Sequence, residues 1–216
     1  MKTRISWIFY CLVSFMLLPS LSAAERFVTN ESNGFTWIQQ GKAYPILVDS
    51  QEDKGVLRAV ANLQTDAGKV TGATPEIIHS PSGNRILIVG SVENSSWIKQ
   101  LVQAGKIPAA DLKGKREKYI LQTVKQPVEG VEEAIVIAGS DKRGTIYGIY
   151  ELSRQMGVSP WYFWADVPVE KHDIISIKEG VYTDGEPAVK YRGIFLNDEW
   201  PSLGGWASAT FGGFNS

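Results

Sequence analysis

Apolar and polar positions follow two different periods along this chain. Short runs that alternate or are wholly apolar are separated by stretches in which apolar residues return every third or fourth position, the spacing of strands interleaved with helices. Phe35 to Gln39 and Tyr44 to Val48 read as a strand pair across a Gln40-Gly41-Lys42 turn. Val56, Leu57, Val60, Leu63 and Ala67 then define a helix that Asp53 can cap and Gly72 can stop. Glu76 to His79 and Arg85 to Gly90 read as strands around the turn Ser80 to Asn84, and Ile86 to Val89, apolar on both faces, marks the second as central in its sheet. A short helix carrying Trp97, Leu101 and Val102 follows, then a basic, solvated loop from Lys113 to Lys118. Tyr119 to Val124 and Ala134 to Ala138 are the next strands. A helix from Lys142 to Met156 comes after them, with Ile146, Tyr147, Tyr150 and Leu152 as its apolar face and Gly157 as its stop.

This order predicts an α/β sandwich with partly antiparallel strands over about 150 residues, an ordinary domain size. The polar turn Tyr182 to Pro187 closes it. Val189 to Leu196 reads as the strand of a new unit, followed by a Gly-rich tail without further periodicity.

The first 24 residues stand apart. Lys2 and Arg4 precede an apolar run from Ile5 to Leu18, and Pro19 leads into the small residues Ser20 to Ala24. This is the three-part layout of a secretory signal peptide, with cleavage expected after Ala24. A membrane anchor is the competing reading, but the run is shorter than the roughly 20 residues a spanning helix takes. The mature chain is therefore expected in the periplasm or outside the cell, unattached to a membrane. Cys11, the only cysteine, leaves with the leader, so no disulfide or cysteine metal site remains.

Composition narrows the chemistry. With 44% hydrophobic and 21% charged residues the chain is globular. Lys plus Arg number 22 against 23 Asp plus Glu, which leaves no polybasic patch and argues against a nucleic-acid partner. His79 and His172 are too far apart in sequence to suggest a zinc site, and neither a metal nor a cofactor is expected. Seven Trp point to flat ligands such as sugars, or to a large internal interface.

Three segments could carry function. Gly139 to Gly144 turns from a buried strand into a helix, where nucleotide-binding proteins hold phosphates, but Thr145 and Ile146 stand where a phosphate loop needs Lys and Ser or Thr. A tight turn with Asp141 as helix cap is the favoured reading. Pro160 to Asp166 holds four consecutive aromatics, Trp161 to Trp164, which serve either as a sugar-stacking platform or, as favoured here, as a wedge against the next domain. In Tyr191 to Trp200 an apolar strand runs directly into Asn197-Asp198-Glu199, polar groups at a strand's carboxyl end as in barrel enzymes, although a plain polar turn fits the spacing equally.

Four blocks together, Ser140 to Tyr150, Trp161 to Pro168, Arg192 to Glu199 and Phe211 to Asn215, resemble the family 115 glycoside hydrolases, which are xylan α-1,2-glucuronidases. The likeness runs from about Gly34 to the last residue, with the blocks in the family's order. It implies a hexosaminidase-type α/β helper domain over residues 25–182, leading at 188–216 into the first strand of a truncated (β/α)8 barrel. The implied activity is inverting hydrolysis that removes glucuronic acid or its 4-O-methyl derivative from glucuronoxylan or its oligosaccharides. Asn197, Asp198 and Glu199 are the implied substrate contacts, Asp198 foremost.

Inverting hydrolysis uses two carboxyl groups about 6.5 to 9.5 Å apart. Asp198 and Glu199 are adjacent, so along a strand they face opposite ways and cannot form that pair. The acid and base are expected beyond Ser216, because a barrel takes about 250 residues. The 216-residue chain is accordingly expected to be inactive alone, with a protease-sensitive connection near Tyr182 to Pro187. Two other readings stay open. One is a secreted carbohydrate-binding module that stacks sugars on Trp161, Trp164 or Trp206. The other is a hexosaminidase-like glycosidase, which shares the helper domain.

Overall fold

Fourteen regular elements appear in the computed structural model, which describes residues 25–193 with Phe195 and Gly205. They are β1 (Val28–Thr29), β2 (Phe35–Gln39), β3 (Lys42–Ala43), β4 (Ile46–Val48), α1 (Lys54–Thr71), β5 (Ile77–Ile78), β6 (Arg85–Ser91), α2 (Ser96–Gln103), β7 (Tyr119–Lys125), β8 (Glu133–Gly139), α3 (Lys142–Met156), α4 (Tyr162–Ala165), β9 (Ile174–Ile177) and β10 (Val181–Tyr182). A short 3-10 turn covers Ala109–Asp111. The fold is α/β. Residues 1–24, where the sequence leads one to expect a signal peptide, lie outside the described residues.

Two sheets form. The larger has the order β10-β7-β8-β6-β4-β5, with β5, β4, β6 and β8 parallel and β7 antiparallel to both of its neighbours, β8 and β10. The smaller, β1-β9-β2-β3, is antiparallel throughout. Alternation along β6, β7 and β8 explains the layering. Leu87, Val89, Leu121, Ile135 and Ile137 join α1, α3 and the small sheet in one core, whereas Ile86, Ile88, Ile120, Val136 and Ala138 face the other way, with Ile98 and Leu101 of α2. Each such buried aliphatic contributes about 1.5–3 kcal/mol relative to exposure.

Three sequence readings change. Tyr44 to Val48 is not the return strand of β2. Gln40 (φ 51°) and Gly41 (φ 73°) make a two-residue hairpin turn, Lys42–Ala43 pairs with β2, and the last bond of the ladder is from the Tyr44 N–H to the Trp37 carbonyl at 3.0 Å. Pro45, which lacks an N–H to continue that ladder, sends the chain into the large sheet as β4. The strands on either side of the turn Ser80 to Asn84, β5 and β6, each lie parallel to β4, on opposite sides of it. The buried face of α3 is Gly144, Thr145, Gly148, Ile149, Leu152 and Met156, while Ile146 and Tyr147 are half-buried and Tyr150 is 44% exposed. Glycines set that face because the helix lies on backbone. A Cβ at Gly144 would stand 2.2 Å from the Lys118 carbonyl oxygen, and one at Gly148 would stand 2.7 Å from Ile137 Cγ2. The basic loop is also less solvated than its charges suggest: Glu117 is buried, with its N–H donating to Asp141 Oδ2 at 2.8 Å.

Residues 1–186 and 187–216 are two separate units by contact density. The end of the first is held down. Tyr182 is buried against the Phe27 ring, with centroids 4.9 Å apart, and Tyr119 Oη donates to Asp184 Oδ2 at 2.9 Å. Burial, reinforced by the Asp184 carboxylate, pushes the Tyr119 hydroxyl well above the ordinary tyrosine range, so it stays a donor. Glu186 accepts from the Arg116 N–H at 2.9 Å and pairs with Lys115 at 3.4 Å. In the second unit Val189 to Gly193 form no strand, because among the described residues no neighbouring backbone pairs with them. The remainder of the strand expected over Val189 to Leu196 lies outside the described residues, Phe195 excepted, which is 91% exposed.

Two outcomes follow from this packing. Gly144→Ala is expected to destabilise the fold by about 3 kcal/mol or to prevent folding, because the Lys118 carbonyl cannot retreat; urea denaturation followed by circular dichroism measures it. Limited digestion with the unspecific proteinase K is expected to cut first within the exposed segment Val189 to Gly193, not between Tyr182 and Glu186, with cleavage sites read by mass spectrometry.

Candidate functional site

The parallel strands β4, β6 and β8 end at one edge of the large sheet, the place where open α/β sheets hold ligands. Side chains there are polar but spent on the protein itself. Glu52, buried, accepts from the Ser91 N–H at 2.6 Å, the Ser91 hydroxyl at 3.0 Å and the Asp53 N–H at 3.2 Å. Asp49 accepts from Ser96 Oγ at 2.6 Å and the Ser96 N–H at 3.0 Å, and the hydroxyl bond holds its carboxyl below the usual range. Asp141 caps α3 by accepting from the Gly144 N–H at 2.8 Å, as the turn reading expects, while its other oxygen takes the Glu117 N–H. The glycines of this turn serve contact rather than phosphate binding: a Cβ at Gly139 would lie 2.1 Å from Thr145 Oγ1.

A second concave region lies over the seam between α1 and α3. Asn62, Asp66 and Lys69 occupy successive turns of α1, so the 3.6-residue period brings them to one face. Tyr150, Ser153 and Arg154 of α3 face them, and Val158, Ser159, Pro160, Tyr162 and Phe163 close the end. The cleft has a volume of about 500 Å³. Asn62 Nδ2 donates to Tyr150 Oη at 2.7 Å, and Lys69 Nζ lies 4.3 Å from the centre of the Tyr162 ring. Burial pushes the Asp66 carboxyl above its ordinary range, opposed by the Ser153 hydroxyl beside it and by Lys69. Arg154 is committed to Glu151 through two bonds of 2.7 and 2.5 Å. Of the aromatic run, Trp161 is 61% and Phe163 51% exposed, while Tyr162 is half-buried. The side chain of Trp164 and the whole of Trp206 lie outside what is described.

The residues expected from sequence to contact substrate, Asn197, Asp198 and Glu199, lie outside the described residues. His79 Nδ1 lies 2.9 Å from the Val48 carbonyl oxygen, and His172 lies 3.5 Å from Glu170 in a separate part of the fold. Among the described residues no group of three or more His, Cys, Asp or Glu could hold a metal. No described helix is long and apolar enough to cross a membrane. Sequence reading passed over the α1–α3 cleft. One half of its signal lay in the polar triplet Asn62, Asp66 and Lys69 on a helix whose other inward positions are apolar, and the other half, Tyr150 and Ser153, lay on a helix far along the chain.

Two family profiles match the chain. The profile "Glycosyl hydrolase family 67 N-terminus" matches residues 36–152, and "Glycosyl hydrolase family 115" matches residues 184–216. Among solved structures, BtGH115A, a family GH115 4-O-methyl-alpha-glucuronidase with specificity for decorated arabinogalactans, is similar at 33% identity and a TM-score of 0.67, covering 82% of this chain. The chain spans only 22% of that enzyme. A Streptomyces plicatus beta-hexosaminidase is similar at 16% identity and a TM-score of 0.39, over 70% of this chain and 23% of its own. Flavobacterium johnsoniae chitobiase follows at 14% and 0.43, over 80% and 21%. No curated protein matches the chain.

Asp141→Ala is expected to lower the unfolding free energy by about 1–2 kcal/mol, since it removes the cap of α3 and the acceptor for Glu117 together. Thermal denaturation of the variant beside the parent checks this, and inorganic phosphate is expected to leave the melting temperature of both unchanged.

Proposed function

The chain belongs to glycoside hydrolase family 115, and from that premise we propose that it is the N-terminal portion of a secreted enzyme that removes glucuronic acid, or its 4-O-methyl derivative, from xylan by inverting hydrolysis. The observation that carries this reading is the family 115 match over residues 184–216, which takes in Asn197, Asp198 and Glu199 directly after the α/β domain. In this reading residues 25–182 are the helper domain and 188–216 begin a (β/α)8 barrel. The first strand of that barrel delivers the three polar residues to the substrate end.

Their chemistry suits binding more than bond cleavage. A carboxylate at Asp198 and an amide at Asn197 accept and donate hydrogen bonds to sugar hydroxyls and hold the ring. The acid that protonates the leaving oxygen and the base that activates water belong to a pair about 6.5 to 9.5 Å apart, a separation that neighbouring residues on a strand do not reach. That pair comes from other barrel strands. The leader of residues 1–24 supports export to the periplasm or beyond, where plant polysaccharide is met.

A second reading keeps the reaction and changes the polymer. It is favoured by the specificity of BtGH115A for decorated arabinogalactans, and it makes a galactan rather than a xylan the carrier of the uronic acid.

In the complete enzyme carrying this segment, Asp198→Ala is expected to lower turnover by about 10²–10³-fold, the usual cost of losing one preorganised polar contact to the reacting sugar. Uronic acid released from glucuronoxylan and from arabinogalactan, separated by anion-exchange chromatography, measures the loss and identifies the polymer. Unchanged kinetics on both would sink the assignment. The 216-residue chain alone is expected to release no more than its own Asp198→Ala variant.

A further inference from the structure

The α1–α3 cleft is built from groups that the hydrolytic reading does not use. Its volume of about 500 Å³ falls within the range of about 300 to 1,000 Å³ typical of small-molecule sites. Asp66, only 9% exposed, sits on its floor beside the Ser153 hydroxyl, which is buried and has no hydrogen bond of ordinary geometry. Asn62 and the Tyr150 hydroxyl flank one side, and Tyr162 and Phe163 form an aromatic end wall. A fold that only had to join two helices would fill this seam with aliphatic side chains. Here it leaves an amide, a carboxyl and hydroxyls along a groove that ends in rings.

We propose that this cleft binds neutral pyranose units of a polysaccharide backbone. The aromatic wall offers a flat apolar surface to the C–H face of a sugar ring. The Asp66 carboxyl accepts bonds from ring hydroxyls, and Asn62 with Tyr150 both donates and accepts. Charge decides between neutral and acidic sugars. Arg154 is already paired with Glu151, and Lys69 is opposed by Asp66, so no surplus positive charge is left to balance a uronate. A uronate carboxylate next to Asp66 would be repelled. The cleft is thus a second, non-hydrolytic contact with the backbone that carries the uronic acid. The choice of sugars rests on the polysaccharide reading above, but binding is measured without turnover, so the two stand or fall separately.

The test titrates the 216-residue chain with xylohexaose, with a galactan hexasaccharide and with free glucuronate, followed by amide chemical shifts. At least one neutral oligosaccharide is expected to shift Asn62, Asp66, Ser153 and Tyr162 saturably, and more tightly than glucuronate. Which oligosaccharide does so tells xylan from galactan. Asp66→Ala and Phe163→Ala are each expected to weaken that binding by about tenfold or more. Because the Phe163 ring is half exposed, its loss leaves the fold intact even if Asp66→Ala does not. Trp161→Ala, outside the cleft lining, is expected to change the affinity less than about twofold. The proposal is overturned if neither neutral oligosaccharide saturates or if glucuronate binds more tightly than both. It is overturned equally if Trp161→Ala abolishes binding that Asp66→Ala and Phe163→Ala leave in place.

Discussion

Everything in the α/β unit is arranged around how closely helix α3 lies on strands β7 and β8. A side chain at position 144 would strike the Lys118 carbonyl and one at 148 would strike Ile137, so the helix rests on backbone and β-branched side chains with nothing between. Asp141 fixes where that contact begins by capping the helix and holding the Glu117 backbone at the same time. Once α3 is seated, the rest follows from its remaining faces. Gln155 at its far end accepts from the backbone N–H groups of Phe27 and Val28, tying β1 down, while Tyr150 and Ser153 meet α1 and define the cleft.

How far the sequence disclosed this depended on the range of the interaction. Helix ends were legible because caps are local: Asp53, Gly72, Asp141 and Gly157 each act within a few residues of themselves, and all four are observed in those roles. Ile86 to Val89 was legible as a central strand because burial on both faces leaves an unbroken apolar run. Partnership between strands was not. Nothing around Pro45 states that the chain changes sheets there, and β5 and β6 are separated by a turn that looks like a hairpin although both pair with β4. The face of α3 was misread for a related reason. Tyr150 and Tyr147 outweigh glycine in any count of apolar residues, yet glycine marks the close approach.

The candidate site residues divide in the same way. Asn197-Asp198-Glu199 stood out as a polar cluster at the end of an apolar run, a pattern contained in ten residues of sequence. The cleft over α1 and α3 did not, because its floor needs Asp66 and Ser153, which the chain separates and only the packing of two helices brings together. The aromatic run Trp161 to Trp164 was visible to sequence as a feature but not as a direction. Its members part company in space, with Tyr162 turned to Lys69 and Trp161 to solvent.

The small sheet has a consequence for how the protein is made. Its strands come from opposite ends of the unit: β9 inserts between β1 and β2, and Thr36 shares a hydroxyl contact of 2.9 Å with Ser176, 140 positions later. Such pairing carries a loop-closure cost that local contacts do not. The large sheet can start to assemble while the chain is still being synthesised, but β1 and β2 must wait for Ile177 to emerge. Until then Phe35, Trp37 and Ile38, all buried in the finished protein, have no sheet to complete them. Late closure of this layer makes the N-terminal strands of the unit, the first of it to be synthesised, the last to be completed.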